Sequence, residues 1–303
     1  MRKRTFALAG AAAGLAALLI GPGVIAQQQA SVNSGEVNVY SYRQPFLIQP
    51  LLDAFTRDTG VKVNVVFAKK GLVERLKQEG RNSPADLIFT VDIGRLNDAY
   101  DSGVTAPVET AQLTANIPAA FRQADGHWYG LTQRARIIYA SKDRVSKDDA
   151  PKSYEELADP KWAGRICTRA GNHVYQVALT AAMIAHHGEE KAEAWLRGLK
   201  SNLARKPQGN DRAQVKAISE GECDISLGNN YYFGLMLQNK EQFAWAQAVY
   251  PVFPTIDDTG THVNISGMAL TKASPNRDNA VMLMEFLTGD LAQQMYSEQN
   301  FEY

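Results

Sequence analysis

The stretch VNVYSYRQPFLIQPLLDAFTRDTGVKVNVVF, residues 37–67, decides the fold class. Its ends, Val37-Asn38-Val39-Tyr40 and Val61-Lys62-Val63-Asn64-Val65-Val66-Phe67, have the β-branched composition of strands. Leu47 to Arg57 between them reads as a helix, with Pro50 tolerable only in its first turn, and Gly60 ends it. The same alternation continues downstream. Leu72 to Glu79 is amphipathic and stops at Gly80, Asp86 to Val91 is a third strand, and Arg95 to Asp101 a third helix. Short, glycine-punctuated joints predict an α/β fold, with a mostly parallel sheet covered by helices on both faces.

Working outward, Gly130 to Tyr139 is a long strand able to leave this first lobe and enter a second. The second lobe is predicted to hold helices around Tyr154–Leu157, Val174–His186, Glu189–Leu199 and Ala213–Ser219, and the strand Cys223–Leu227. His262 to Leu270 then returns as a strand to the first lobe, where helices Asn279–Leu287 and Leu291–Ser297 pack on it. The expected division is 33–133 plus 260–303 for one lobe and 134–259 for the other. Two α/β lobes joined by two strands enclose a cleft, and in open α/β sheets ligands sit at the carboxyl ends of strands.

The chain begins with the basic Met1-Arg2-Lys3-Arg4, continues with an apolar, small-residue run from Phe6 to Ile20, and reaches Val24-Ile25-Ala26 before Gln27. That is the three-part pattern of a secretory signal peptide, expected over 1–26; the run is short for a membrane span. The full chain balances 32 basic against 32 acidic residues, and the leader removes three cations and no acid. The remainder is slightly acidic, which gives no electrostatic footprint for a nucleic acid or an anionic membrane. Cys167 and Cys223 are an even pair, which in an oxidising compartment is more often a disulfide than a metal site, with two buried thiols as the alternative. None of the five histidines falls in a metal or catalytic spacing: His186 and His187 read as solvated, and His127 and His262 as loop or strand-surface residues.

The chemistry concentrates in Gly228-Asn229-Asn230-Tyr231-Tyr232, between a strand and the apolar helical run from Phe233 to Leu237. Asn229 or Asn230 suits a helix N-cap, which would put both tyrosines beside a helix N-terminus, where partial positive charge favours phenolate. A tyrosine of ordinary pKa near 10 becomes a phenolate at neutral pH when it binds a hard trivalent cation. The same dipeptide also suits packing aromatics, or a platform for a sugar or a quaternary ammonium group.

The segments NVYSYRQ (38–44), NSPADLIFTVDIGRL (82–96), WYGLTQRARIIYASKDRV (128–145), GRICTRAGNHVYQ (164–176), WLRGLK (195–200) and GECDISLGNNYYF (221–233) resemble the ferric-iron-binding solute-binding proteins of bacterial ABC importers. The resemblance runs collinearly over nearly the whole chain after the leader, and the paired tyrosines are its most specific part. It implies the two-lobe type II periplasmic-binding fold, a periplasmic location, no enzymatic activity, a monomer, and an inner-membrane ABC permease as partner. It implies ferric iron (Fe3+) as cargo, with Tyr231, Tyr232 and Tyr175 as ligands. Where many members have a histidine, or a histidine followed by a tyrosine, this chain has Gln44 and Pro45; where some use a glutamate, it has Val91. Tyr42 and Asp92 are the possible substitutes, Tyr42 as a further ligand and Asp92 as a loop residue or an acceptor behind the ligands. Three tyrosines leave iron positions for water, carbonate or another small anion. Arg43, Arg134 and Asn210 are the candidates to hold that anion or to neutralise the phenolates, with surface or lobe–lobe ion pairs as the alternative for the arginines. Other expected readings are the same fold with thiamine, a polyamine or an oxyanion, and a secreted carbohydrate-active enzyme. Family members generally continue past the point matching Phe301-Glu302-Tyr303 with a further helical segment, which implies a fragment or missing final elements.

Overall fold

The computed structural model describes residues 35–301; the leader expected over 1–26 lies outside the described residues. Strand β1 (Glu36–Ser41) is followed by α1 (Pro45–Thr59), β2 (Lys62–Phe67), α2 (Leu72–Glu79), β3 (Leu87–Thr90), α3 (Ile93–Asp101) and α4 (Ala111–Asn116). Helix α1 begins two residues earlier than its sequence suggests, because Pro45 sits in the first turn, where a missing amide costs nothing. Pro50 consequently lies inside the helix, a correction to its expected first-turn place. The helix tolerates the lost hydrogen bond because Ile48, Leu51, Leu52 and Phe55 are all buried along one face. Gly60, at φ 78°, closes it in the left-handed conformation that glycine adopts without strain.

Next come β4 (Tyr129–Ser141), β5 (Ile166–Cys167), α5 (Val174–His187), α6 (Glu189–Ser201), α7 (Asp211–Ser219), β6 (Ile225–Asn229), α8 (Tyr231–Gln238), α9 (Phe243–Gln247) and β7 (Val249–Val252). Strand β8 (Val263–Leu270) and helices α10 (Arg277–Thr288) and α11 (Asp290–Met295) follow. The strands run in the order β2-β1-β3-β8-β4-β6-β5, with β7 also on β4. The sheet is mixed rather than mostly parallel. Strand β1 is parallel to β2 and β3, and β5 to β6, but β8 is antiparallel to β3 and β4, and β4 to β6 and β7. The reason is that β4 and β8 carry the chain across and back instead of joining consecutive βαβ units.

Strand β4 is shared. Tyr129–Ala135 pair with β8, while Arg136–Ser141 pair with β6 and β7. One apolar core, with Val37, Phe55, Leu87 and Leu283, gathers on the side of β1 and α1. Another, with Ile138, Trp162, Met183 and Leu227, gathers on the far half of β4. Cys167 and Cys223 form a disulfide that ties β5 to the turn before β6. Among the described residues no helix is long and apolar enough to cross a membrane.

Candidate functional site

Strand β6 runs straight into α8, so Tyr231 and Tyr232 occupy the first turn of the helix. Asn230 does not cap it with its side chain, as expected from sequence; its backbone is already helical, and its Oδ1 accepts from the Ala135 amide at 2.9 Å. The Asn230 amide donates to the Ala135 carbonyl at 3.0 Å, which pins the tyrosine turn to the middle of β4. The two rings lie 4.2 Å apart at 41°. Tyr231 is buried and Tyr232 is half-buried.

Tyr175 reaches the same place from the second position of α5. His173 precedes that helix, and its Nδ1 accepts from the Tyr175 amide at 3.2 Å. The Tyr175 hydroxyl lies 3.4 Å from that of Tyr231. Three phenols from two helices, 56 residues apart in sequence, thus form one contiguous cluster.

The surroundings are cationic. The guanidinium carbons of Arg134, Arg136 and Arg169 lie 5.3, 5.8 and 5.1 Å from the Tyr175 ring centroid, and that of Arg212 lies 5.7 Å from the Tyr232 ring. One carboxylate organises them. Asp211, fully buried, accepts from Arg136 Nη1 at 2.7 Å, from Arg169 Nη1 at 3.1 Å and from the Asn229 amide at 3.1 Å. Gln176 Oε1 accepts from Arg136 Nη2 at 2.7 Å. Burial pushes the Tyr232 phenol well above its usual range. Charge on Tyr175 and the Asp211 carboxylate push the same way, opposed by the Tyr231 hydrogen bond and Arg169. Without a bound cation, Tyr232 keeps its proton at neutral pH.

Arg43, in the bend after β1, and Arg134, in β4, are both buried and converge on one oxygen: each donates through Nη1 to Ser266 Oγ, at 2.6 and 2.8 Å. Arg134 Nε and Nη2 are buried without a hydrogen-bond partner. Arg134, Arg136, Tyr175, Asn229, His262 and Asn264 line a small void of about 10 Å³. Donors poised around so small a space suit a single water.

Tyr42 and Asn210 are not brought to this cluster. The Tyr42 hydroxyl accepts from the Leu72 and Val73 amides at 2.9 and 3.1 Å, at the start of α2, under the Arg95 guanidinium. Asn210 is exposed and caps α7, accepting from the Ala213 amide at 3.0 Å. Asp92 caps α3 through the Gly94 amide and accepts from Asn264 Nδ2 at 2.8 Å, so it stands behind the void as an acceptor. Two histidines differ from their expected surface places. His262 is half-buried, and burial with Arg136 and Arg134 nearby pushes it down to about 4. His187 Nε2 lies 2.6 Å from a Glu155 carboxylate oxygen. The sequence reading missed Arg136 and Asp211. Arg136 carried a usable signal, since residues 134 and 136 of a strand share a face. Asp211 carried none, because an aspartate at a helix start is ordinarily a cap.

The chain matches the profile of the bacterial extracellular solute-binding proteins over residues 82–303. It is 44% identical over 271 residues to iron uptake protein A1 of Synechocystis sp., covering 88% of this chain and 75% of that protein. It superposes on the apo ferric ion-binding protein A of Pasteurella haemolytica with a TM-score of 0.85 and 54% identity, covering 88% of this chain and 84% of that one. A Trichodesmium protein solved in complex with iron and citrate gives a TM-score of 0.83 and 42% identity, covering 89% and 86%.

Proposed function

The chain belongs to the bacterial extracellular solute-binding proteins, and on that premise we propose that it captures ferric iron in the periplasm for an ABC importer, with Tyr175, Tyr231 and Tyr232 supplying the protein ligands. The observation that carries the reading is the contiguous cluster of three phenol oxygens at the junction of the two halves of β4. A hard cation selects oxygen donors, and its own charge overcomes a phenol's preference to keep its proton, which burial strengthens at Tyr232. Three phenolates balance the three charges of the ion. Uptake therefore releases protons, and no covalent step is involved.

Arg43 and Arg134 are the residues that would hold carbonate or another small anion against the iron. Their convergence on Ser266 and the unpartnered donors of Arg134 support that role. Arg136 and Arg169, fixed by Asp211, offset the charge of the phenolates. Tyr42 is left out of the ligand set, because its oxygen is engaged by two amides of α2. In this reading residues 33–133 plus 260–303 close on 134–259, and the closed monomer docks on an inner-membrane permease.

The test is an absorbance titration with ferric citrate. A visible tyrosinate-to-iron band that saturates at one iron per chain, and is absent from the Tyr231→Phe/Tyr232→Phe protein, is the expected result. No band with the unsubstituted chain would sink the ferric reading.

A further inference from the structure

Helix α8 carries two of the candidate ligands and is thinly supported. It has eight residues, its N-cap makes no side-chain hydrogen bond, and the residues it buries are Tyr231 and Met236. A helix this short is marginal by itself, so its place depends on what packs against it. Gly234 weakens it further, because a glycine inside a helix costs stability relative to alanine. The ring of Phe301 fills the space that alanine would take. A methyl group on Gly234 would stand 2.5 Å from Cγ and Cδ1 of that ring and 2.8 Å from its Cδ2, closer than carbon atoms approach one another.

Phe301 is itself an outlier. Its φ is 55°, in the left-handed region that a bulky residue rarely enters unless its surroundings hold it there. Its amide donates to the Tyr296 carbonyl and closes a single π turn, Tyr296–Asn300. That turn touches both sides of the molecule. Tyr296 is fully buried in the core that holds Val37, Phe55 and Leu283, and the Arg43 guanidinium carbon lies 5.3 Å from its ring centroid. Met236 of α8 belongs to a different core, with Ile137, Tyr139 and Cys167, on the far half of β4. The chain from Tyr296 to Phe301 therefore carries a contact from the side of Arg43 to the helix of Tyr231 and Tyr232. Gly234 comes three residues after Tyr231, so Phe301 packs on the same face of α8 one turn along.

We propose that Phe301 is a positioning residue of the candidate iron site: seated on Gly234, it fixes α8, and with it Tyr231 and Tyr232, relative to Arg43 and Ser266. This rests on the ferric reading, since it concerns how that site is held together. One contact accounts for both the glycine inside the helix and the left-handed phenylalanine. Without it the tyrosines stay on α8, but the helix can shift against the side that carries Arg43, and bound iron leaves faster.

Thermal melting of the full chain, of Gly234→Ala, of Phe301→Ala and of the double variant tests the contact. Alanine inside a helix ordinarily stabilises it. Gly234→Ala should raise the melting temperature by at least about 2 °C more in the Phe301→Ala background than in the unsubstituted chain. Mixing the iron-loaded proteins with excess EDTA, well below their melting temperatures, tests the role. The visible tyrosinate band should be lost at least about fivefold faster from Gly234→Ala and from Phe301→Ala. Phe301→Tyr, which keeps the ring against Gly234, should retain the unsubstituted rate. A purely structural contact would move the melting temperature and leave the release rate alone. An equal effect of Gly234→Ala in both backgrounds overturns the contact, and unchanged release from both single variants overturns the positioning role. No band from the unsubstituted chain would instead remove the ferric reading, and this inference with it.

Discussion

Replacing Asp211 with alanine should cost about 3–5 kcal/mol of stability. Its side chain is fully buried and holds two guanidiniums and a backbone amide at 2.7–3.1 Å. Without it, Arg136, 2% exposed, keeps only the neutral acceptors Gln176 and Asn229 for a charge that water cannot reach. Arg169 is less confined, its side chain 11% exposed, and can turn toward solvent, so the cost centres on Arg136. At about 2–4 °C per kcal/mol for a chain of this size, the melting temperature should fall by about 6–20 °C. The apo protein would be followed by urea unfolding and by thermal melting. The double replacement Arg136→Met/Asp211→Leu supplies the control, since exchanging a buried pair for apolar groups is often neutral whereas removing one partner is not. It should recover most of the loss. A cost below about 1 kcal/mol for Asp211→Ala, or a double variant as damaged as the single ones together, would refute the account of Asp211 as the counter-charge of this site.

Ferric affinity should fall as pH falls, by up to tenfold per pH unit for each phenol that gives up a proton, and so by about a thousandfold per unit for three; citrate competition, corrected for citrate's own protonation, would measure it, and a flat profile would exclude phenolate ligation. Reducing the Cys167–Cys223 bridge, whose cysteines are 56 residues apart, should cost about 4 kcal/mol in the chain-entropy account, read as a shift in urea midpoint between oxidised and reduced protein. His262 is held near 4, below its free value of about 6.5, so the unfolded chain takes the proton first as pH drops. Stability of the apo protein should therefore decline from about pH 6.5 toward 4 by up to about 1.4 kcal/mol per unit. The His262→Gln protein should lack that part of the slope, and an unchanged slope would remove His262 from the explanation.

The strands and helices were legible where composition and periodicity agreed. The β-branched runs at Val37–Tyr40 and Val61–Phe67 became β1 and β2, and the amphipathic Leu72–Glu79 became α2. Strand direction was not legible, because nothing local distinguishes a strand that continues a βαβ unit from one, like β8, that returns the chain from the far half. The pair Tyr231–Tyr232 stood out as two phenols at a strand–helix turn. That Tyr175 would lie 3.4 Å from Tyr231 depends on how α5 packs beside β6, which no local pattern encodes; it came from resemblance. Asn210 shows the opposite case: a polar residue three before Ala213 at a helix start reads most simply as a cap, and that is how the side chain is spent. Asp211, one residue on, looked equally local in sequence. Only the fold turns it inward to Arg136, 75 residues away.

One pleat of β4 links the halves of the molecule to the chemistry between them. Ala135 pairs with Val263 of β8, and Arg136 with Asn229 of β6, so the strand changes partners between these two residues. Arg134 and Arg136 project from the same face on either side of that change. Arg134 is anchored to Ser266 in β8, and Arg136 to Asp211 and Gln176 beyond β6. Both guanidiniums also lie over the Tyr175 ring. In the proposed cycle, opening the lobes by bending β4 at this pleat would move one arginine with each half. The positive charge facing Tyr175 would change with the angle between the lobes.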